Sequence, residues 1–241
     1  MATGDFEKCM PYILRFEGGW SDNSHDPGGA TQQGITLAVY RQSYPGATVS
    51  DLRGMPNDRR DAIYRKLYWQ AAACDGLPAG LDLCTFDAAV NSGVGAAHRW
   101  LARCMTGSAI ERIHAFSAAR LSMLHGLRTW RYFGKGWAAR VAGIEAASVR
   151  MALGTDARAP AIMIAKSDAA KVNAKLHLQK AGGSGVGAGG AAVASHPMHG
   201  SLAITGAVVA LAAITAAAFW IKEQQQEARA EAFAKAAMEP A

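Results

Sequence analysis

Residues 16 to 36, FEGGWSDNSHDPGGATQQGIT, hold the side chains of this protein best suited to chemistry. Glu17 closes an apolar helical segment, Ile13-Leu14-Arg15-Phe16, that is expected to pack into a core, which sets its carboxyl at a domain surface beside apolar groups. Desolvation there favours the protonated form and raises the pKa, the property a general acid needs at neutral pH. Asp26 and Thr31 follow nine and fourteen residues later, and paired glycines on either side of Asp26 let the backbone turn back sharply. Such a return faces a second carboxylate and a hydroxyl toward Glu17 across a cleft. Two carboxyls on opposite sides of a sugar are the parts of glycoside hydrolysis: one protonates the leaving oxygen, the other positions water or stabilises the oxocarbenium ion. The same residues also suit a Glu17 that caps or pairs with a cation and an Asp26 that belongs to a turn, and spacing alone leaves both readings open.

The elements that must position these groups are mostly helical. Apolar residues recur at helical spacing in Ala62, Ile63, Leu67 and Tyr68, in Leu101, Met105, Ile110 and Ile113, and in Phe116, Leu121 and Leu124. Alternating strand-like runs are scarce. The exception is Gly18 to Thr36, where Gly, Asp, Asn, Ser and Pro dominate and a loop or a small irregular hairpin is expected. Pro11 either kinks the opening helix or marks its first turn.

The run EGGW...DPGGATQQGIT resembles the signature of glycoside hydrolase family 108, the N-acetylmuramidases of the lysozyme superfamily, which include phage endolysins and a muramidase of typhoid toxin secretion. Later segments are similar to that family too: Ala62-Ile63-Tyr64 with Tyr68-Trp69, Asp75-Gly76-Leu77-Pro78, Phe86-Asp87-Ala88-Ala89-Val90-Asn91-Ser92-Gly93 and Gly136-Trp137-Ala138-Ala139-Arg140. The likeness runs in order over roughly residues 5 to 145. It implies a mainly α, lysozyme-like helical domain with no cofactor, acting on peptidoglycan glycan strands at the MurNAc-β-1,4-GlcNAc bond. By the same resemblance Glu17 donates the proton, Asp26 orients water or balances the developing positive charge, and Thr31 holds that water. Tyr68, Trp69 and Asn91 are expected near the saccharide groove, with core or capping roles as the alternative for each. The chain departs from the family after Trp100-Leu101, where many members carry a longer insertion, and where members often end in a small peptidoglycan-binding domain it has the Gly-rich linker and the apolar run instead.

Composition bounds the rest. Half of the 241 residues are hydrophobic and 18% are charged, the reverse of a disordered chain. Up to Lys180 there are 22 Lys and Arg against 15 Asp and Glu, an excess that suits an anionic polymer or a membrane surface. Arg residues are spread along the chain with no basic run interleaved with aromatics, so nucleic acid is not an expected partner. Cys9, Cys74, Cys84 and Cys104 have no CxxC spacing and read as free buried thiols. Among the seven histidines there is no HExxH and no zinc-finger pairing, so no metal site is expected.

The domain expected over residues 1 to 155 is followed by a polar extension, 156 to 181, and a Gly-rich linker, 182 to 200. Residues 202 to 221, LAITGAVVALAAITAAAFWI, are uncharged, and about 20 residues at 1.5 Å rise match a bilayer's hydrocarbon thickness. A single C-terminal transmembrane helix over 201 to 221 is therefore expected, although much of it is weakly partitioning Ala. Residues 222 to 241 are expected to continue as a short helical tail into water. Cations after the span favour a cytoplasmic C-terminus and an exported enzyme; an N-terminus unlike a signal peptide argues the reverse. The reading adopted is an inner-membrane enzyme kept on the cytoplasmic side until lysis, as in a phage or prophage endolysin, its holin or secretion partner unnamed. The rivals are a secretion-associated muramidase that remodels the wall and an inactive, membrane-anchored peptidoglycan-binding protein.

Overall fold

A computed structural model describes residues 4–22, 29–186 and 222–238, with side chains of 177–186 set aside. Asp26, most of the Gly-rich linker and the apolar run 201–221 lie outside the described residues. The described chain is mainly helical and falls into two compact units. One comprises the residues up to Gly126 together with Ala147–Leu153; the other comprises Leu127–Ala146 and the described residues from Gly154 onward.

The first unit opens with α1 (Phe6–Leu14), whose N-cap Asp5 accepts from the Lys8 amide. Phe6, Cys9, Met10 and Ile13 are buried, one helical face, and Pro11 lies inside the helix rather than in its first turn. Three two-residue strands follow, β1 (Trp20–Ser21), β2 (Thr31–Gln32) and β3 (Ile35–Thr36), forming an antiparallel sheet in the order β1-β2-β3. Trp20 pairs with Gln32, and Thr31 with Thr36. The β2–β3 connection is the pair Gln33 and Gly34, both at positive φ, 47° and 78°, as the twist of a two-residue hairpin demands.

Next come α2 (Leu37–Ser43), α3 (Val49–Arg53) with a Thr48/Asp51 capping box, and α4 (Asn57–Tyr64). The helix does not stop at Tyr64 but widens into a π-turn over Arg65–Gln70. At the centre lies α5 (Leu81–Ser92), buried on every side from Leu81 to Ala89. Its Asp82 caps it from within: Oδ1 accepts from the Gly80 and Leu83 amides, and Oδ2 accepts from the Asp5 amide, tying the start of α1 to α5. Burial pushes this carboxyl above its ordinary range, against the pull of those three N–H groups. Helices α6 (Val94–Leu101) and α7 (Ala109–His125), the latter with a Ser108/Glu111 capping box, pack on α5.

The long α8 (Trp130–Leu153) contributes its last turns, from Ala147, to this unit, where the Cys84 thiol meets the Ser148 hydroxyl at 3.1 Å. All four cysteines are free and buried, and burial raises each of the thiols Cys9, Cys74 and Cys104.

In the second unit, α9 (Ala159–Val186) takes up the expected polar extension and the first residues of the expected linker. A last helix, α10 (222–238), does not run into water. Phe233 is fully buried, Arg229 pairs with Glu145 at 2.8 Å, and the Ser167 hydroxyl donates to the Ala230 carbonyl.

The expected membrane anchor is corrected. Among the described residues no helix is long and apolar enough to cross a membrane, so neither the transmembrane part of the expected fold nor an inner-membrane, single-pass location stands. The two long helices show the physical reason for themselves: α8 carries Arg131, Lys135, Arg140, Glu145 and Arg150, and α9 carries Lys166, Asp168, Lys171 and Lys175.

Candidate active site

Glu17 stands three residues beyond the end of α1, in the turn that leads into β1, and its side chain is half-buried. The segment before it differs from expectation. Ile13 is buried, but Phe16 is 39% exposed because α1 ends at Leu14 and the chain leaves the core there.

What Glu17 packs against is the hairpin turn. A Cβ placed on Gly34 would lie 2.6 Å from Glu17 Oε2, 3.2 Å from its Cδ and 2.5 Å from Tyr64 Oη. Position 34 is thus a glycine for two reasons: its φ of 78° strains any other L-residue, and the carboxyl and the phenol already occupy the space a side chain needs. The turn is gripped from α4. The Tyr64 hydroxyl donates to the Gln33 carbonyl at 2.8 Å, and Arg60 donates to the Gln33 side-chain oxygen at 3.2 Å while also holding Asn57 and Asp61.

Tyr64 is itself placed by the core. Its ring meets Phe86 of α5 edge-on at 6.3 Å, and Phe86 also packs on Phe6 and Trp69. The central helix therefore sets Tyr64, Tyr64 sets the turn, and the turn backs Glu17.

Tyr68 lies one helical turn further on, its ring 5.5 Å from that of Tyr64, half-buried. Burial, and after it the negative charge of Glu17, hold the Tyr68 phenol above its ordinary range, which places the two groups within electrostatic reach. Thr31 opens β2, half-buried, and its hydroxyl donates to the Gly29 carbonyl at 3.0 Å, leaving the oxygen's lone pairs to accept. Asn91 is exposed at the end of α5, and its Oδ1 accepts from Arg120 at 2.9 Å and from the Ser92 hydroxyl at 3.2 Å. With the oxygen so engaged, the amide's two hydrogens are what it can present to a ligand.

Trp69 is corrected. It has no exposed surface, its indole donates to Asp75 at 2.7 Å, and its ring is wedged between Phe6 and Phe86, so it belongs to the core and offers no face for a sugar. Helix geometry accounts for the split: neighbouring side chains diverge by about 100°, so Tyr68 stays half-buried while Trp69 turns inward.

Three residues to which the sequence assigns no site role support the site. Gly34 carried a signal, a glycine directly after Gln33 between short polar-apolar pairs. Tyr64 carried one too, the i, i+4 spacing to Tyr68. Arg120 carried none: it is 2% exposed, holds the fully buried Asp87 at 2.5 Å, and reaches Asn91 across 29 residues of sequence. Among the described residues no group of three His, Cys, Asp or Glu side chains is placed to hold a metal ion.

The family profile of glycosyl hydrolase 108 matches residues 10–93, the segment that contains Glu17, the hairpin, Tyr64, Tyr68 and Asn91. The solved structure of SagA from Brucella abortus is 33% identical in sequence, and the alignment covers 97% of that chain and 62% of this one at a TM-score of 0.55. This chain belongs to the glycosyl hydrolase 108 family. Membership makes it a glycoside hydrolase of a peptidoglycan-directed family. No curated protein matches it. As a glycosyl hydrolase 108 member, the chain has its matched segment wholly within the first unit, so the candidate site and the family likeness coincide.

Proposed function

We propose that the protein is an N-acetylmuramidase that hydrolyses the MurNAc-β-1,4-GlcNAc bond of peptidoglycan, with Glu17 as the general acid. The observation that supports this most is the setting of Glu17: a half-buried carboxyl backed by a turn whose glycine leaves room for it, with Tyr68 within electrostatic reach. A carboxyl so held can deliver a proton to a glycosidic oxygen without first reorganising its surroundings. Asp26 is the partner that balances the oxocarbenium charge or aligns water, and the Thr31 oxygen accepts from that water. Asn91, its amide hydrogens outward, donates to the N-acetyl carbonyl, and Tyr68 lines the groove.

The test is the product. Digestion of purified peptidoglycan by the full chain, followed by borohydride reduction and mass spectrometry, is expected to give muropeptides with reduced MurNAc at the new end. Reduced GlcNAc at that end instead would mean a glucosaminidase, and no new reducing ends from folded protein would remove the hydrolase reading.

A further inference from the structure

The second unit carries a surface that the candidate site does not use. Around the start of α8 stand Arg128, Arg131 and Lys135, all exposed, with Tyr132 at 68% and Phe133 at 56% exposure among them. No two of these cations are adjacent in sequence, but four-residue spacing sets Arg131 and Lys135 one turn apart, with Arg128 just before the helix. The rings form a connected row. Arg131 lies over the Tyr132 ring at 4.6 Å, Tyr132 meets Phe133 at 6.4 Å, Phe133 meets Trp137 at 5.6 Å, and Trp137 meets Trp130 at 6.1 Å. Gly134 makes room for it, because a Cβ there would lie 2.5 Å from the Trp130 indole. Leu127, also exposed, extends the apolar surface.

We propose that this face docks on an anionic phospholipid bilayer, with Arg128, Arg131 and Lys135 against headgroup phosphates and Tyr132, Phe133 and Leu127 entering the headgroup layer. Charge complementarity carries the assignment. Between Glu111 and Glu145 the chain has no Asp or Glu, and among the described residues none of the three cations is held in an ion pair, so no acid of this stretch opposes a negative surface. Rings beside long cationic stems suit a headgroup layer, where the rings sit at the boundary and the stems reach out to phosphate. A glycan strand asks for something else. Sugars are held on a flat ring face edged by amides or carboxylates that take the hydroxyls. The same stretch contains no Asn or Gln either, and neighbouring rings are inclined to each other by 37° to 64°. Such docking lays a helix on a surface and needs no spanning segment, so charges that bar α8 from crossing a bilayer can still hold it there.

The experiment is co-sedimentation of the full chain with vesicles of phosphatidylcholine alone and of phosphatidylcholine mixed with phosphatidylglycerol, at low and high salt. Three variants accompany the parent, each with a thermal melt: Arg128→Gln/Arg131→Gln/Lys135→Gln, Tyr132→Ser/Phe133→Ser, and Lys66→Gln/Arg99→Gln/Arg103→Gln. The last removes the same charge from exposed cations of the first unit and serves as the control. The parent is expected to prefer the mixed vesicles and to leave them as salt rises. At about fivefold per cation near an anionic surface, the first variant is expected to lose roughly a hundredfold in affinity and the control no more than about threefold. The aromatic variant is expected to lose about tenfold, and all three are expected to keep the parent's rate on soluble peptidoglycan fragments.

No preference of the parent for the mixed vesicles, equal losses in the control and the first variant, or parent-like binding by either folded patch variant overturns the proposal. So does a loss that shows only in pull-down with purified sacculi or with a single-stranded oligonucleotide, which assigns the face to a polymer instead. Should one patch variant fail to fold, the other decides. None of these readouts depends on Glu17, so the hydrolase reading and the docking face stand or fall separately.

Discussion

Replacing Arg120 by Met removes a cation that no surface residue can substitute for. Its guanidinium is 2% exposed, and it is bonded to the fully buried Asp87 carboxylate at 2.5 Å and to Asn91 at 2.9 Å. The Coulomb energy of such a pair is largely offset by the cost of taking both charges out of water, so the intact pair adds little net stability. Removing one partner is different, because the buried Asp87 carboxyl then loses its countercharge in the interior, at a cost of about 3 to 5 kcal/mol. Against a total stability of about 5 to 15 kcal/mol that is a large share, and at about 2 to 4 °C per kcal/mol the melting temperature is expected to fall by roughly 6 to 20 °C.

The double variant Arg120→Met/Asp87→Leu removes the stranded charge as well and is expected to recover most of the loss. Thermal and urea melts of the four proteins of this cycle measure the coupling directly. Asn91 supplies a second readout: released from Arg120, its amide can flip, and KM is expected to rise in both variants lacking the arginine, including the restabilised one. A single Arg120→Met loss below about 1 kcal/mol, or a double variant no better than the single, would refute the reasoning about a stranded charge.

Other perturbations read other parts of the structure. Gly46 and Gly34 share positive φ values of 82° and 78°, but a Cβ meets nothing at Gly46 and meets Glu17 and Tyr64 at Gly34. Gly46→Ala is thus expected to cost only the backbone strain of about 1 to 2 kcal/mol, and Gly34→Ala measurably more in paired thermal melts. Burial raises the Asp82 carboxyl in the folded protein, so the folded state binds the proton more tightly than the unfolded one, and this group's contribution to stability falls as pH rises above the unfolded value of 3.8. Denaturant melts from pH 4 upward are expected to show that decline in the parent and to show it weakened in Asp82→Asn. Tyr68→Ala is expected to raise KM with little change in melting temperature, whereas Trp69→Ala is expected to cost about 3 to 5 kcal/mol as a core cavity, checked by melts and kinetics side by side.

The parts of this structure that could be read in the sequence are those encoded locally. Phe6, Cys9, Met10 and Ile13 show the face of α1 by their spacing, and the glycines between Gly18 and Gly34 announce an irregular hairpin. The widening of α4 at Arg65 was hidden, because a π-turn has no periodic signature. Trp69 lies in that turn and faces the core beside a half-buried Tyr68. Contacts between distant residues were hidden too: nothing near Arg120 marks it as the partner of Asp87 and Asn91, and nothing near Tyr64 marks Gln33.

At the C-terminus hydropathy alone misleads. An Ala-dominated apolar run predicts a membrane span, and the helix after it a tail in water. That helix instead buries Phe233 and fastens Arg229 to Glu145, a pairing that separation along the chain concealed.

The central claim is that one carboxyl, set at the Gln33–Gly34 turn, supplies the proton for glycosidic cleavage. Its most direct test is the initial rate of new reducing ends released from purified peptidoglycan by the parent and by Glu17→Gln, at matched concentration and with matched thermal melts. The account predicts a loss of about 10²- to 10⁴-fold, the usual range for removing a general acid. A Glu17→Gln protein that melts like the parent and releases reducing ends at a comparable rate would contradict it.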